Sequence, residues 1–511
     1  MNYATAYTFT LAAGSVADLT DNATDQAIVL NFTTKTKPAV NKALYDFIVP
    51  TDGDFKAALD AAAKRTDTSK RFRIFIKQGD YKIPADDKSK VTGSDGNSYA
   101  NPTTYMNTPN VSIIGEGMDN TSLTNTVPNS GQSANVLEGI GKGDVLCLQK
   151  GATNTYFQDL KMYSSMGDDK GRDIVLNDQS NKTICKNVNL WAYQDTYVSN
   201  NQNGKFYFED GILRGRTDYL CGKGDVYYNN VELWICEKGG YLAVPSQPKK
   251  YGYIFKDCTI KDATEAKDLN GNYTLGRPWG KGTPIALYID TKMEAIPSAA
   301  GWDEMSGGYP KRFAEYNSTT STGSTVDLKD RKKVYDAYDS KNGDNYVNRR
   351  NETAESPILA AEEAAFYTVE NIMGQDDDWD PTAATEQASA PTNVKLNGTT
   401  LAWDNNDYAL LWAVCKNGKV VDFTITPSYI VDDASATWSV RAANEMGGLS
   451  EATVVGQGTG IRNIATATAA VIKTAIYAAD GTQLSNLQKG INIIVKTLAD
   501  GSKKTSKVIV K

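Results

Sequence analysis

A six-residue pattern recurs five times between residues 157 and 260, and it restricts the fold more than any other feature of the chain. It reads apolar or Cys, polar, Asp or Asn, two unrestricted positions, aliphatic. The copies are Phe157-Gln158-Asp159-Leu160-Lys161-Met162, Cys185-Lys186-Asn187-Val188-Asn189-Leu190, Phe208-Glu209-Asp210-Gly211-Ile212-Leu213, Tyr228-Asn229-Asn230-Val231-Glu232-Leu233 and Phe255-Lys256-Asp257-Cys258-Thr259-Ile260. Their third positions, 159, 187, 210, 230 and 257, are separated by 28, 23, 20 and 27 residues. Irregular periods of that length, built of β-rich units with no helical pattern between them, imply an all-β chain wound as a parallel β-helix. Each coil then stacks on the last at roughly 4.8 Å. Antiparallel hairpins in a sandwich are the alternative that the repeat alone leaves open.

The repeat occupies part of a 511-residue chain, a length that predicts two or three domains. Residues 1–44 read as an N-terminal extension and 45–375 as the solenoid domain. Within the latter, Asp54 to Ala62 forms an Ala-rich amphipathic helix, followed by β runs at Arg73–Ile76 and Val111–Ile114. An acidic turn, Gln375-Asp376-Asp377-Asp378-Trp379-Asp380-Pro381, opens an Ala/Thr/Ser/Pro linker over 376–390. Short β runs over 391–455 have the spacing of a small sandwich, and 456–511 forms a β tail.

Composition narrows the chemistry. The chain has no histidine, which excludes Ser-His-Asp and Cys-His triads and the His-dependent zinc hydrolase sites. Acid–base work must fall to Asp, Glu, Lys or Tyr. A net charge of −7 argues against a nucleic-acid partner, and a site for an anionic polysaccharide has to be locally basic or has to read an esterified, neutral substrate. No apolar run reaches the roughly 18 residues of a membrane span. The six cysteines, 147, 185, 221, 236, 258 and 415, contain no CxxC pair; they read as buried thiols, with disulfide connectivity left open. Met1-Asn2-Tyr3 leads directly into a Thr/Ala-rich stretch in which no signal peptide is legible, the expectation for a cytoplasmic chain or for one whose signal has been removed.

Two aspartates share one phase of the repeat. Asp195 follows Asn187 by 8 residues, and Asp218 follows Asp210 by 8. Equal offsets on consecutive coils stack the two carboxylates about one coil spacing apart. Mutual repulsion at that distance drives their pKa values apart, leaving one as nucleophile and one as proton donor. Two turn aspartates at a coil corner would satisfy the same spacing.

The residues around them decide between these readings. Tyr193-Gln194-Asp195-Thr196, Thr217-Asp218-Tyr219-Leu220-Cys221-Gly222 and Leu275-Gly276-Arg277-Pro278-Trp279 resemble, in order, the Gln-Asp-Thr, Asp-Phe-Ile-Phe-Gly and Leu-Gly-Arg-Pro-Trp motifs of the pectinesterase family. Gly301-Trp302 and Phe313-Ala314-Glu315-Tyr316-Asn317 fit its final motifs. The resemblance covers roughly residues 45 to 370. It implies a right-handed, pectin lyase-like β-helix that removes methyl esters from galacturonate residues of pectin. Neither a metal nor an organic cofactor is expected, and the chain is expected to be a monomer. By the resemblance, Asp218 attacks the ester carbonyl, Asp195 protonates departing methanol and then activates water, Gln194 donates to the oxyanion, and Arg277 pairs with Asp218. Trp279 forms part of the sugar wall, and Tyr197, Tyr219 and Trp302 are expected to line the groove with it. One position departs. The family's other oxyanion Gln falls on Arg172, which can donate to an oxyanion, pair with Asp195 or pair with a neighbouring free galacturonate. Met305 stands where the family often has Trp.

Toward the C-terminus, Leu401-Ala402-Trp403, Trp438-Ser439-Val440-Arg441-Ala442, Asn444 and Gly447 resemble a fibronectin type III domain. Ile476-Tyr477-Ala478-Ala479-Asp480-Gly481 and Gly490-Ile491-Asn492-Ile493-Ile494-Val495 resemble the C-terminal sorting tails of secreted Bacteroidetes proteins; a last strand pair of the sandwich is the alternative. The tail implies a secreted or cell-surface protein whose signal has been removed. Two other functions share the solenoid. A glycosidase also needs paired carboxylates, and a lyase needs a calcium site with a basic Arg or Lys. Gln194 and the Arg-Pro-Trp motif argue against both. A non-catalytic surface binder is the third reading, and the intact aspartate motifs argue against it.

Overall fold

The computed structural model describes residues 4–15, 24–34, 44–129, 135–167, 171–266, 269–404, 409–456, 471–478, 482–484, 488, 490–498 and 503–510. Its centre is a parallel β-helix. Among the described residues, three all-parallel sheets of nine, seven and ten strands run its length, from Phe47–Val49 to Thr319–Thr320. The antiparallel alternative is therefore set aside.

The hexapeptide is the corner between the ten-stranded and nine-stranded sheets. Its first position stacks in register, Phe157 on Cys185, Phe208, Tyr228, Phe255 and then Tyr288. The rings of Phe208, Tyr228, Phe255 and Tyr288 lie face to face at 5.2, 4.6 and 4.2 Å. Its sixth position forms a second interior column, Met162, Leu190, Leu213, Leu233 and Ile260. The third position takes a left-handed backbone in every copy, with φ between 50° and 57°. Only Gly, Asn and Asp adopt that conformation readily, which is why the repeat is so selective there. The side chains also tie coil to coil: Asn187 donates to Asp159 at 2.6 Å and Asn230 to Asp210 at 2.7 Å.

The helix Phe55–Lys64 starts at Asp54, which caps the Ala57 N–H at 2.8 Å, and its Phe55, Ala58, Leu59 and Ala62 face joins the solenoid core. At the far end the coils give way to antiparallel pairs, Val334–Ala337 with Arg350–Thr353 and Ser340–Asn342 with Asn345–Val347. The segment 376–390 was expected to be a free linker and is instead fastened to the solenoid. Asp377 pairs with Lys182 at 2.7 Å and with Lys205, and the Thr385 hydroxyl donates to Glu209 at 2.7 Å. The polar, acidic composition that read as linker supplies those contacts.

Residues 391–404 and 409–456 form two antiparallel sheets around Leu401, Trp403, Trp412, Val414, Trp438 and Val440. The sandwich packs on the outer face of the ten-stranded sheet, where Phe423 meets Tyr45 at 4.9 Å and Phe75 at 5.3 Å. Glu116 accepts from the Gln78 N–H at 2.9 Å and the Val420 N–H at 2.5 Å, one on each side of the seam. In the tail, the strands Val471–Ala478, Gln483–Leu484, Gly490–Leu498 and Lys503–Val510 pair with one another, and Ala479, Asp480 and Gly481 of the sorting-like motif lie outside the described residues. All six cysteines are buried.

Candidate active site

The site lies on the outer face of the seven-stranded sheet. Val198, Cys221 and Val244 are in register on successive strands and form a small apolar floor with Ile174. Over it opens a cleft of about 270 Å³ lined by Ile140, Arg172, Gln194, Asp195, Asp218, Cys221, Val244, Trp279 and Met305.

Parallel bridges align Arg172 with Gln194 and Gln194 with Thr217 on three consecutive coils. Asp195 and Asp218 therefore occupy equivalent places one coil apart, as the equal offsets predict. Both adopt a left-handed backbone, φ 60° and 52°, which Asp tolerates better than most residues. The register between Thr217–Gly222 and Gly240–Pro245 shifts between Thr217 and Leu220. That irregularity puts Asp218 in the cleft while Tyr219 and Leu220 both turn into the core.

Arg277 holds Asp218 with two hydrogen bonds, Nε to Oδ1 at 2.9 Å and Nη2 to Oδ2 at 2.6 Å. Its guanidinium is itself fixed 3.8 Å from the Tyr241 ring centroid, and its backbone N–H donates to the Ala243 carbonyl at 3.0 Å. Asp195 has looser partners. Arg172 Nε lies 3.5 Å from its Oδ2, and the Cys221 thiol lies 3.7 Å from its Oδ1. Buried Asp173 accepts the backbone N–H of Gln194 at 2.8 Å and so fixes the turn that presents Gln194 and Asp195.

Electrostatics separates the two carboxyls. Burial and the adjacent Asp218 charge push Asp195 up to about 7, against the opposing pull of Arg172, the Cys221 thiol and Arg277. Burial also raises Asp218, and Arg277 opposes it through its hydrogen bonds and its charge. The arrangement favours the proton on Asp195, while the Arg277 fork favours the charged form of Asp218.

Of the expected sugar-wall residues, Trp279 stands in the cleft and is 41% exposed. Three others are corrected. Tyr197 and Tyr219 are fully buried; Tyr197 is in register with the core residues Leu176 and Leu220 and packs on Phe208 at 4.8 Å. Trp302 is 1% exposed and wedged between Tyr288 and Phe313. Sequence reasoning did not find Ile140, Val244 or the positioning role of Asp173. Ile140 comes from a loop far from the motifs, with no local signal. Beyond Trp279 and Met305 a second cavity of about 330 Å³ continues the groove, lined also by Pro278, Gly280, Lys281, Ser306 and Gly308.

Comparison with known proteins places this geometry. The Pectinesterase family model matches residues 46–351. Pectinesterase 1 of Solanum lycopersicum is 23% identical over 281 residues, covering 53% of this chain and 46% of that protein. Probable pectinesterase 56 of Arabidopsis thaliana is 23% identical over 269 residues, covering 50% of this chain and 84% of that protein. This chain thus spans less than half the length of the tomato protein. A solved structure of pectin methylesterase from carrot is 18% identical, with a TM-score of 0.48, and the match covers 69% of this chain and 98% of that one. The family match runs over more than half of the sequence and takes in both aspartates, Gln194, Arg277 and Trp279, so the chain belongs to the pectinesterase family.

Proposed function

We propose that the protein hydrolyses methyl esters on the galacturonate residues of pectin, releasing methanol and leaving free carboxylates. The observation that carries this reading is the contrast between two stacked aspartates, one held by two hydrogen bonds from Arg277 and the other raised to about 7 by burial and its neighbour. Asp218 attacks the ester carbonyl carbon, and the C=O electron pair moves onto oxygen to give a tetrahedral oxyanion. Gln194, on the cleft wall, supplies an amide N–H toward that charge. As the intermediate collapses, Asp195 gives its proton to the methoxy oxygen and methanol leaves. An anhydride between Asp218 and the uronate remains. Asp195, now ionised, takes a proton from water, whose oxygen attacks the anhydride and frees Asp218 and the product carboxylate. Trp279 offers an exposed indole face against which a sugar ring can stack.

The sandwich, read as a fibronectin type III-like module, and the sorting-like tail support placement outside the cell or on its surface, in a Bacteroidetes-like bacterium. The decisive measurement is methanol release from highly methylated pectin, with new reducing and unsaturated ends assayed in parallel. Methanol release that is lost in Asp218→Ala, with no chain cleavage, is the expected result. Chain ends without methanol would mean a glycosidase or lyase on the same solenoid.

A further inference from the structure

Resting on the esterase reading, we infer that Arg172 is a specificity-determining residue that holds the free carboxylate of a demethylated galacturonate in the cleft. Three charged side chains line that cleft: Arg172, Asp195 and Asp218. The two cations nearby have different duties. Arg277 spends its fork on Asp218 with two short hydrogen bonds and lies against Tyr241, so its charge is cancelled inside the protein. Arg172 is 55% exposed and meets Asp195 through Nε alone, at 3.5 Å, a separation beyond that of a good charge-assisted hydrogen bond. Whenever Asp195 carries its proton, Arg172 becomes the uncompensated charge of the cleft. An amide at this position would leave the cleft neutral.

Among the described residues, no other acid close to Arg172 forms an ion pair with it. Asp173 turns its carboxylate to the backbone N–H groups of Tyr193 and Gln194, and Glu138 lies against Gly171 without an ion pair to Arg172. Among the described residues Asp195 is the one ion-pair partner Arg172 has. The cleft walls beside it, Ile140, Val244, Trp279 and Met305, offer no competing donor except the indole. A planar guanidinium on such a wall fits a planar carboxylate. The substrate ester has no charge for it, whereas the product and any neighbouring free uronate do. Arg172 therefore favours partly demethylated chains and retains the product after methanol has left.

The test is binding of an ester-free oligogalacturonate, measured by calorimetry at two salt concentrations on the wild type, Arg172→Gln and Arg172→Lys. Methanol release from fully methylated pectin is measured on the same proteins. Arg172→Gln should weaken ester-free binding by about fivefold to tenfold and flatten its salt dependence, and Arg172→Lys should recover much of the affinity. Ester-free affinity that is unchanged in Arg172→Gln overturns the inference. If kcat then falls by roughly 100-fold, Arg172 serves as an oxyanion donor instead. The binding arm needs no turnover, so its failure is distinct from a wild type that releases no methanol, which would sink the esterase reading itself.

Discussion

Arg277 and Asp218 face each other fork to fork, Nε on Oδ1 and Nη2 on Oδ2, although Asp218 lies on the strand Thr217–Gly222 and Arg277 follows the strand Tyr273–Gly276, with Gly240–Pro245 between the two. Removing the cation would leave the pKa-raising effect of burial opposed only by the charge of Arg172. The nucleophile must be ionised, so the acidic limb of the rate profile should move to higher pH in Arg277→Ala, and kcat at neutral pH should fall by roughly 100-fold or more. Arg277→Lys keeps the charge and loses the fork, so it should recover part of the loss. A pH–rate series on the three proteins checks both shifts.

Asp195 sets the other limb. In the proposed mechanism it carries a proton when methanol leaves, and its pKa is pushed up to about 7. The protonated fraction falls as pH rises through that value, so kcat/KM for methylated pectin should decline above about pH 7. Arg172 pulls this pKa down, so in Arg172→Gln the decline should begin at higher pH. A limb that stays in place would mean that another group donates the proton.

The sandwich is welded to the solenoid. Phe423 fills the seam between Tyr45 and Phe75, and the Tyr45 hydroxyl donates to the Gly447 carbonyl at 2.6 Å. Phe423→Ala should destabilise the protein by about 3–5 kcal/mol, with solenoid and sandwich melting in a single calorimetric transition. Ending the chain after residue 390 would bare Phe75, Ile114 and their neighbours and should give an aggregating product. Two separated transitions in the full chain would refute the coupling.

Corner residues allow a cleaner test of why the repeat is visible at all. Asn230 sits at φ 55° and donates to Asp210. Asn230→Ala should cost about 1 kcal/mol from backbone strain alone, and a β-branched substitute more. Asn230→Gly should lose only the hydrogen bond. Chemical denaturation of the three variants measures the difference.

Such corners explain which parts of the molecule were legible. A left-handed backbone admits few residues, so Asp159, Asn187, Asp210, Asn230 and Asp257 record the coil phase directly, and that phase brings Asp195 and Asp218 together. The direction of a strand side chain is recorded only while strict alternation holds. The shift between Thr217 and Leu220 breaks it, turning Tyr219 inward beside Leu220. Trp302 lies in the core between Tyr288 and Phe313, and its motif identifies a position in the chain without identifying the face the side chain takes. The segment 376–390 was misread for a related reason: composition reports polarity, while its partners Lys182, Lys205 and Glu209 lie on distant coils.

The same correction yields opposite expectations for residues that all looked like sugar platforms. Trp279 is exposed in the cleft, and Trp279→Ala should raise KM roughly fivefold to tenfold with a smaller change in kcat. Tyr197 and Tyr219 are buried, and among the described residues their hydroxyls have no hydrogen-bond partner. A buried hydroxyl in that state costs about 1–3 kcal/mol. Tyr219→Phe removes it without opening a cavity, so it should leave KM unchanged and raise the melting temperature. Steady-state kinetics and thermal melts on Trp279→Ala, Tyr197→Phe and Tyr219→Phe separate groove from core. A tyrosine variant with weakened pectin binding and unchanged stability would return that ring to the groove.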